Sequence, residues 1–238
     1  MARTGSRERR PLPPPLPPVS RTVGQVVAQG IELYQRNFYR ALLLGIPVAV
    51  VDQLVTGLSI PEKSLALVAA SPLFSLAYAG ACAIRQDEKP PLRVWVSAVA
   101  LGVLTFLPAA LLFPWFAILS VLWLGLAGHA VPVVMAERLA PAAALRRTLV
   151  LGRADYVHAA GSFATLAILF AITRYTLGLL LASQADAAVR VAIFLADLVM
   201  SPLLFLGAAV VYVDLVARVG LSKEERRRLR LGVTGEAK

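Results

Sequence analysis

Between Val94 and Ala136 the chain carries no Lys, Arg, Asp or Glu. A bilayer core about 30 Å thick is crossed by roughly 20 apolar helical residues. The run is therefore too long for one crossing and has to be divided. Phe113-Pro114 is the natural place, because proline opens a helix readily where its missing N–H would have no partner. Segments of about 94–112 and 115–136 result. Four more apolar stretches of crossing length lie at about 41–60, 65–84, 158–180 and 191–213. Composition points the same way: 58% of residues are apolar before the 16 glycines are counted, and only 16% are charged, against about 25% charged in soluble domains. With no water to satisfy the backbone, a spanning chain of this kind closes its hydrogen bonds within helices. The expected fold is all-α: a polytopic membrane helix bundle with about six transmembrane helices.

The net charge of +10 would suggest nucleic acid in a soluble protein. Its distribution explains it otherwise. With six spans and the N-terminus inside, 21 of the 24 Lys and Arg residues fall on the cytoplasmic side, leaving only Lys63, Arg174 and Arg190 outside. Membrane proteins concentrate Lys and Arg in cytoplasmic segments. The expectation is a multi-pass cell (inner) membrane protein with both termini cytoplasmic and no nucleic-acid partner.

Three parts are expected: a basic, proline-rich, disordered head at 1–19, a six-span membrane domain at 20–218, and a basic cytoplasmic tail at 219–238. No apolar stretch follows Arg10, so no cleavable signal is expected. Six prolines between Pro11 and Pro18 enforce polyproline II. The head reads as a stiff spacer, with its PxxP spacings leaving a partner-binding alternative. In the tail, Ser222 and Glu225 form a capping box. Lys223, Arg226, Arg227, Arg228 and Arg230 are the candidate contacts for anionic lipids, at about 1 kcal/mol per basic residue near the surface.

Two amphipathic helices are expected at the cytoplasmic interface. In the first, at 22–38, Val23, Val26, Val27, Gly30, Ile31, Tyr34 and Phe38 follow helical spacing, with Gln25, Gln29, Glu32, Gln35 and Arg36 opposite. Thr22 and Gln25 supply a capping box. Just before a span, such a helix would lie in the interface plane. The second, at 141–153, places Ala142, Leu145, Leu149, Gly152 and Tyr156 on one stripe. Each precedes an outgoing span and a returning one, which hints at a repeat of spans one and two in spans five and six.

Ile31-Glu-Leu-Tyr-Gln-Arg-Asn-Phe38 enters span one. Val131-Pro-Val-Val-Met-Ala-Glu137 precedes Ala144-Leu-Arg-Arg-Thr148 and Leu151-Gly-Arg153. Pro202 and Val211-Tyr-Val-Asp-Leu215 lead to Arg218. Over about 22–218 this set resembles the membrane domain attached to bacterial glycerophosphoryl diester phosphodiesterases, and its stand-alone relatives of mostly unknown function. It departs where Val216 and Ala217 precede Arg218, because the family places an Arg soon after Asp-Leu. The resemblance implies a bundle of about six helices. It does not imply phosphodiesterase activity, which in fused members belongs to a separate soluble barrel.

Three ionisable residues stand inside apolar stretches: Asp52 in span one, Arg174 in span five and Asp197 in span six. At about 1.5 Å per residue all three fall in the outer half of the bilayer core. A lone charge there costs at least about 2.5–3.5 kcal/mol on insertion scales. Pairing Arg174 with Asp197, and with Asp52, relieves it. The cluster reads either as a structural ion pair or as a solute or proton site, with Gln53 favouring a polar pocket.

His129 and His158 lack any metal-ligand or nucleophile spacing. They are expected at the interface as polar-tipped residues, and polar groups converging on either would revive an enzymatic reading. Cys82 reads as a small core residue, and no cofactor or metal is expected. Ser71, Ser75, Ala79 and Ala83 form a small-residue seam, internal rather than between protomers. Pro47, Pro72, Pro108, Pro132 and Pro202 interrupt their spans and free backbone carbonyls. The leading expectation is a non-enzymatic accessory or membrane-organising protein, contacting the bilayer and a possible membrane-protein partner. The alternative is a small-solute or lipid transporter using the Asp/Arg cluster.

Overall fold

The computed structural model describes residues 18–87 and 90–221. Among these the chain is helical, without a strand. After a short 3-10 turn at Pro18–Ser20 come α1 (Val23–Arg36), α2 (Phe38–Leu42), a second 3-10 turn at Leu43–Gly45, α3 (Ile46–Val55), α4 (Ile60–Gln86), α5 (Leu92–Leu112), α6 (Ala117–Ala127), α7 (Ala130–Glu137), α8 (Pro141–Ala154), α9 (Tyr156–Leu180) and α10 (Asp186–Arg218). Among the described residues, six segments are long and apolar enough to cross a membrane: Phe38–Val55, Ile60–Gln86, Leu92–Leu112, Ala117–Glu137, Tyr156–Leu180 and Asp186–Arg218. The division expected at Phe113-Pro114 falls in the turn between α5 and α6.

Local chemistry sets the ends. Thr22 and Gln25 close the expected capping box on α1. Ser59 and Glu62 close another on α4, with the Ser59 N–H 2.8 Å from Glu62 Oε2. That box starts span two at Ile60, earlier than the apolar boundary at 65. Pro47 and Pro132 lie in the first turns of α3 and α7, where a helix has no N–H partner to lose. Only Pro72, Pro108 and Pro202 stand inside helices. Span four is itself broken at Gly128-His129. Its second piece, α7, is buried from Ala130 to Met135 and forms the centre of the packing.

The hydrophobic core sits at one end. It is built from Ala77–Ile84 of α4, Ala98 and Leu101 of α5, α7, and Phe205–Leu215 of α10. We call this the Arg218 end and the opposite one the Lys63 end. Toward the latter the packing thins. Leu166 is the last buried residue of α9, and before Ser201 the only buried residue of α10 is Asp197. Ile168, Ile172, Tyr175 and Leu179 of α9 present an exposed apolar stripe, as lipid-facing surface should. Tyr78 packs on Phe205 with ring centroids 6.3 Å apart, so Pro72 and Pro202 stand within about one turn of the same level, where dense packing gives way to sparse. The Ser71–Ala83 seam is buried inside the molecule, with Ser75 against Gly102 of α5. Cys82 is buried there too.

Both amphipathic helices differ from expectation. The apolar side of α1 is taken in part by protein: Val26 is fully buried and Gly30 lies against Leu203 and Gly207 of α10, while Ile31 and Phe38 stay exposed. With Arg21 held at Asp214, α1 runs antiparallel along α10. The buried face of α8 is Ala144, Thr148, Leu151 and Gly152, while Ala142 and Tyr156 of the expected stripe are exposed. Two facts rotate it. Thr148 Oγ1 donates to the Ala144 carbonyl at 2.8 Å and so can be buried. Gly152 lets the backbone approach Leu126, whose carbonyl oxygen would lie 2.2 Å from a Cβ there.

Candidate functional site: two charge clusters on α10

The sequence-derived trio comes together toward the Lys63 end. Asp52 stands in the last turn of α3, where its carbonyl accepts from the Thr56 N–H and hydroxyl at 3.1 and 2.8 Å. A carboxylate near a helix C-terminus faces the negative end of the peptide dipoles, so it needs a cation. Arg174 supplies it through two parallel bonds, Nη1 to Oδ1 at 2.8 Å and Nη2 to Oδ2 at 2.9 Å. This planar fork is the strongest geometry available to the two groups. One turn back on α9, the Phe170 ring lies 5.7 Å beneath the guanidinium carbon.

Asp197 is the third member and is placed differently. Its side chain is fully buried, and its Oδ1 lies 3.4 Å from the same Nη1 that Asp52 engages. Neither of its carboxyl oxygens accepts a hydrogen bond from an N–H or hydroxyl donor, and the Asp52 carboxyl lies within hydrogen-bonding reach beside it. Asp52 and Arg174 keep 19% and 30% of their side-chain surface open, so the exposed pair covers a sealed acid. Gln53 reaches the Arg190 carbonyl, at a long 3.4 Å.

A second cluster, which sequence reasoning missed, lies at the Arg218 end. Asp155 caps α9 by accepting from the His158 N–H at 3.4 Å. Its Oδ2 accepts from Arg218 Nη1 at 2.9 Å, and Arg218 Nη2 donates to the Arg21 carbonyl. Arg21 Nη1 in turn donates to Asp214 Oδ1 at 2.9 Å, and the His158 ring nitrogen faces Asp214 Oδ2 at 3.4 Å. Beside them Arg147 Nε reaches both Glu137 oxygens at 3.1 and 3.2 Å, and the Tyr212 hydroxyl donates to Glu137. The side chains of Asp155, Asp214 and Arg218 are at most 2% exposed. The network ties the chain entering α1 to the start of α9 and the end of α10. Two signals could have found it: Asp155 as a cap preceding an apolar run, and Asp214 with Arg218 one turn apart.

The histidines are buried in the bundle, not polar-tipped at its surface. His129 Nε2 lies 3.2 Å from the Gly125 carbonyl, which the Gly128-His129 break deprives of its helical partner, and its ring leans on Phe163. His158 does gather charged groups, but they are arranged as ion pairs. The Ser162 hydroxyl one turn along α9 makes no hydrogen bond with it. Among the described residues no three His, Cys, Asp or Glu side chains gather to hold a metal ion. Lys223, Arg226, Arg227, Arg228 and Arg230 lie outside the described residues, as do most of the proline-rich head and the tail.

No protein-family model, curated protein or solved structure matches the chain.

Proposed function

We propose that this multi-pass protein resides in the cell (inner) membrane with both termini cytoplasmic, has no catalytic role, and handles a small solute at Asp52, Arg174 and Asp197. The observation that carries the reading is Asp197. A carboxyl group sealed in a membrane helix with neither oxygen hydrogen-bonded is a poor structural element, since a purely structural acid is expected to be fully paired. In membrane proteins such groups mark ion and substrate paths.

The accessory, membrane-organising role stands as the second reading. The seam that would have served as a protein-docking surface is internal. Its own support is that Arg40, Arg93, Arg146 and Arg153 are exposed on the side assigned to the cytoplasm, where anionic headgroups would meet them. The relation to the phosphodiesterase-associated membrane domain belongs to the same proposal. Two of its segments, Val131–Glu137 and Pro202–Arg218, meet where Tyr212 bonds Glu137.

Water access tests the reading. In a Cys82→Ala background, Lys63→Cys, Gln53→Cys and Asp197→Cys are labelled in intact cells by a membrane-impermeant thiol reagent. Labelling at 63 and 53 is expected, with slower labelling at 197, which the Asp52–Arg174 pair covers. Labelling confined to 63 would remove the solute path and leave the membrane-organising reading ahead. No reaction at 63 would overturn the topology.

A further inference from the structure

Resting on the solute-handling reading, we propose that Asp197 is a proton-binding site, holding a proton while Arg174 is clamped on Asp52 and releasing it when the guanidinium turns to Asp197. Charge counting leads there. One guanidinium faces two carboxyl groups, and its two in-line N–H bonds go to Asp52. Asp197 is left a 3.4 Å approach to Nη1, full burial and no hydrogen bond. As an anion it would be a buried charge sharing one cation with Asp52, and as a neutral acid it loses only one weak electrostatic contact. A metal cation is the poorer occupant, because it would have to enter directly beside the guanidinium.

The groups facing Asp197 are few. α3 presents Asp52 and α9 presents Arg174. On α4, Glu62 and Lys63 stand in the first turn, with Glu62 held by Ser59, and Tyr78 lies near Phe205, about two turns further along α10. The step balances simply. The Asp197 O–H bond breaks, the proton passes to water entering from the Lys63 end, and Arg174 exchanges its fork from Asp52 to Asp197. Nothing is oxidised or reduced. Asp52, partly open, is then left facing water.

Infrared spectroscopy on the full-length protein in lipid vesicles reads the proton directly. Asp155 and Asp214 are each paired with an arginine, Arg218 and Arg21. The wild type should show one protonated-carboxyl C=O band that moves on labelling with carbon-13 aspartate. Asp197→Asn should abolish it. Asp52→Asn should abolish it as well, because the freed Arg174 then ionises Asp197. A wild-type spectrum without an aspartate band overturns the proposal without needing any variant to fold. So does a band that survives in folded Asp197→Asn. The labelling experiment separates the two failures: a band without labelling at 53 and 197 retains the proton and removes the solute path, and labelling without a band does the reverse.

Discussion

Replacing Arg218 with methionine should destabilise the protein by about 3–5 kcal/mol, the range for removing one partner of a buried ion pair. Arg218 is 2% exposed and spends one Nη on Asp155 and the other on the Arg21 carbonyl. Methionine fills much of the same volume, so packing is largely kept. Asp155 keeps its capping bond to His158 but loses the guanidinium, and the junction of α1 with α10 loses a tie. Adding Asp155→Asn removes the buried negative charge while asparagine still caps α9. The double variant should therefore be more stable than Arg218→Met alone. Chemical denaturation in detergent, followed by circular dichroism, measures both. An Arg218→Met protein within about 1 kcal/mol of wild type would mean that the network is not holding the Arg218 end together.

The second large effect is expected at Gly45. Pro202 has no N–H to offer the carbonyl of Leu198, one turn before it. Gly45 covers that oxygen: a Cβ at position 45 would sit 2.1 Å from Leu198 O and 2.8 Å from its carbon. The approach suits a weak Cα–H···O contact and is closed to any side chain. Gly45→Ala has to push α3 off α10, at about 1–3 kcal/mol for overpacking. The same displacement carries Asp52, seven residues on in sequence, away from Asp197. Gly178→Ala is the control. Gly178 lies within α9, and nothing stands within 4 Å of its would-be Cβ. Alanine there should be neutral or stabilising by about 0.5–1 kcal/mol. Equal melting behaviour of the two variants would remove the argument for the Gly45 contact.

Much of this architecture was legible because its signals are local. A charge-free run longer than one bilayer forces a break, and Phe113-Pro114 marks it. Charges stranded in apolar helices must find each other, so Asp52, Arg174 and Asp197 group on sequence alone. The Arg218-end network was hidden for the opposite reason. Arg21 and Arg218 flank apolar segments, where positive charge is ordinary, and nothing local distinguishes a topological charge from a buried one. The face of α8 and the docking of α1 on α10 depend on close approach at Gly152 and Gly30, which a hydrophobicity pattern does not register. The Ser59–Glu62 box was readable and shows that apolarity alone places a helix start too late.

The uneven distribution of the core also decides which leaflet the protein reports on. At the Arg218 end, helix packs on helix, and acyl chains touch only the rim. At the Lys63 end the C-terminal half of α9 and the N-terminal half of α10 meet few neighbours, so in a bilayer lipid tails would stand where side chains otherwise would. There the spacing of α3, α9 and α10 rests on one guanidinium fork and the close Gly45–Leu198 approach, against the lateral pressure of the surrounding chains. Pro72 and Pro202, each lacking one backbone bond, lie at the level where that half would bend. Chain length and unsaturation in that leaflet are therefore expected to act on the distance between Arg174 and its two acids.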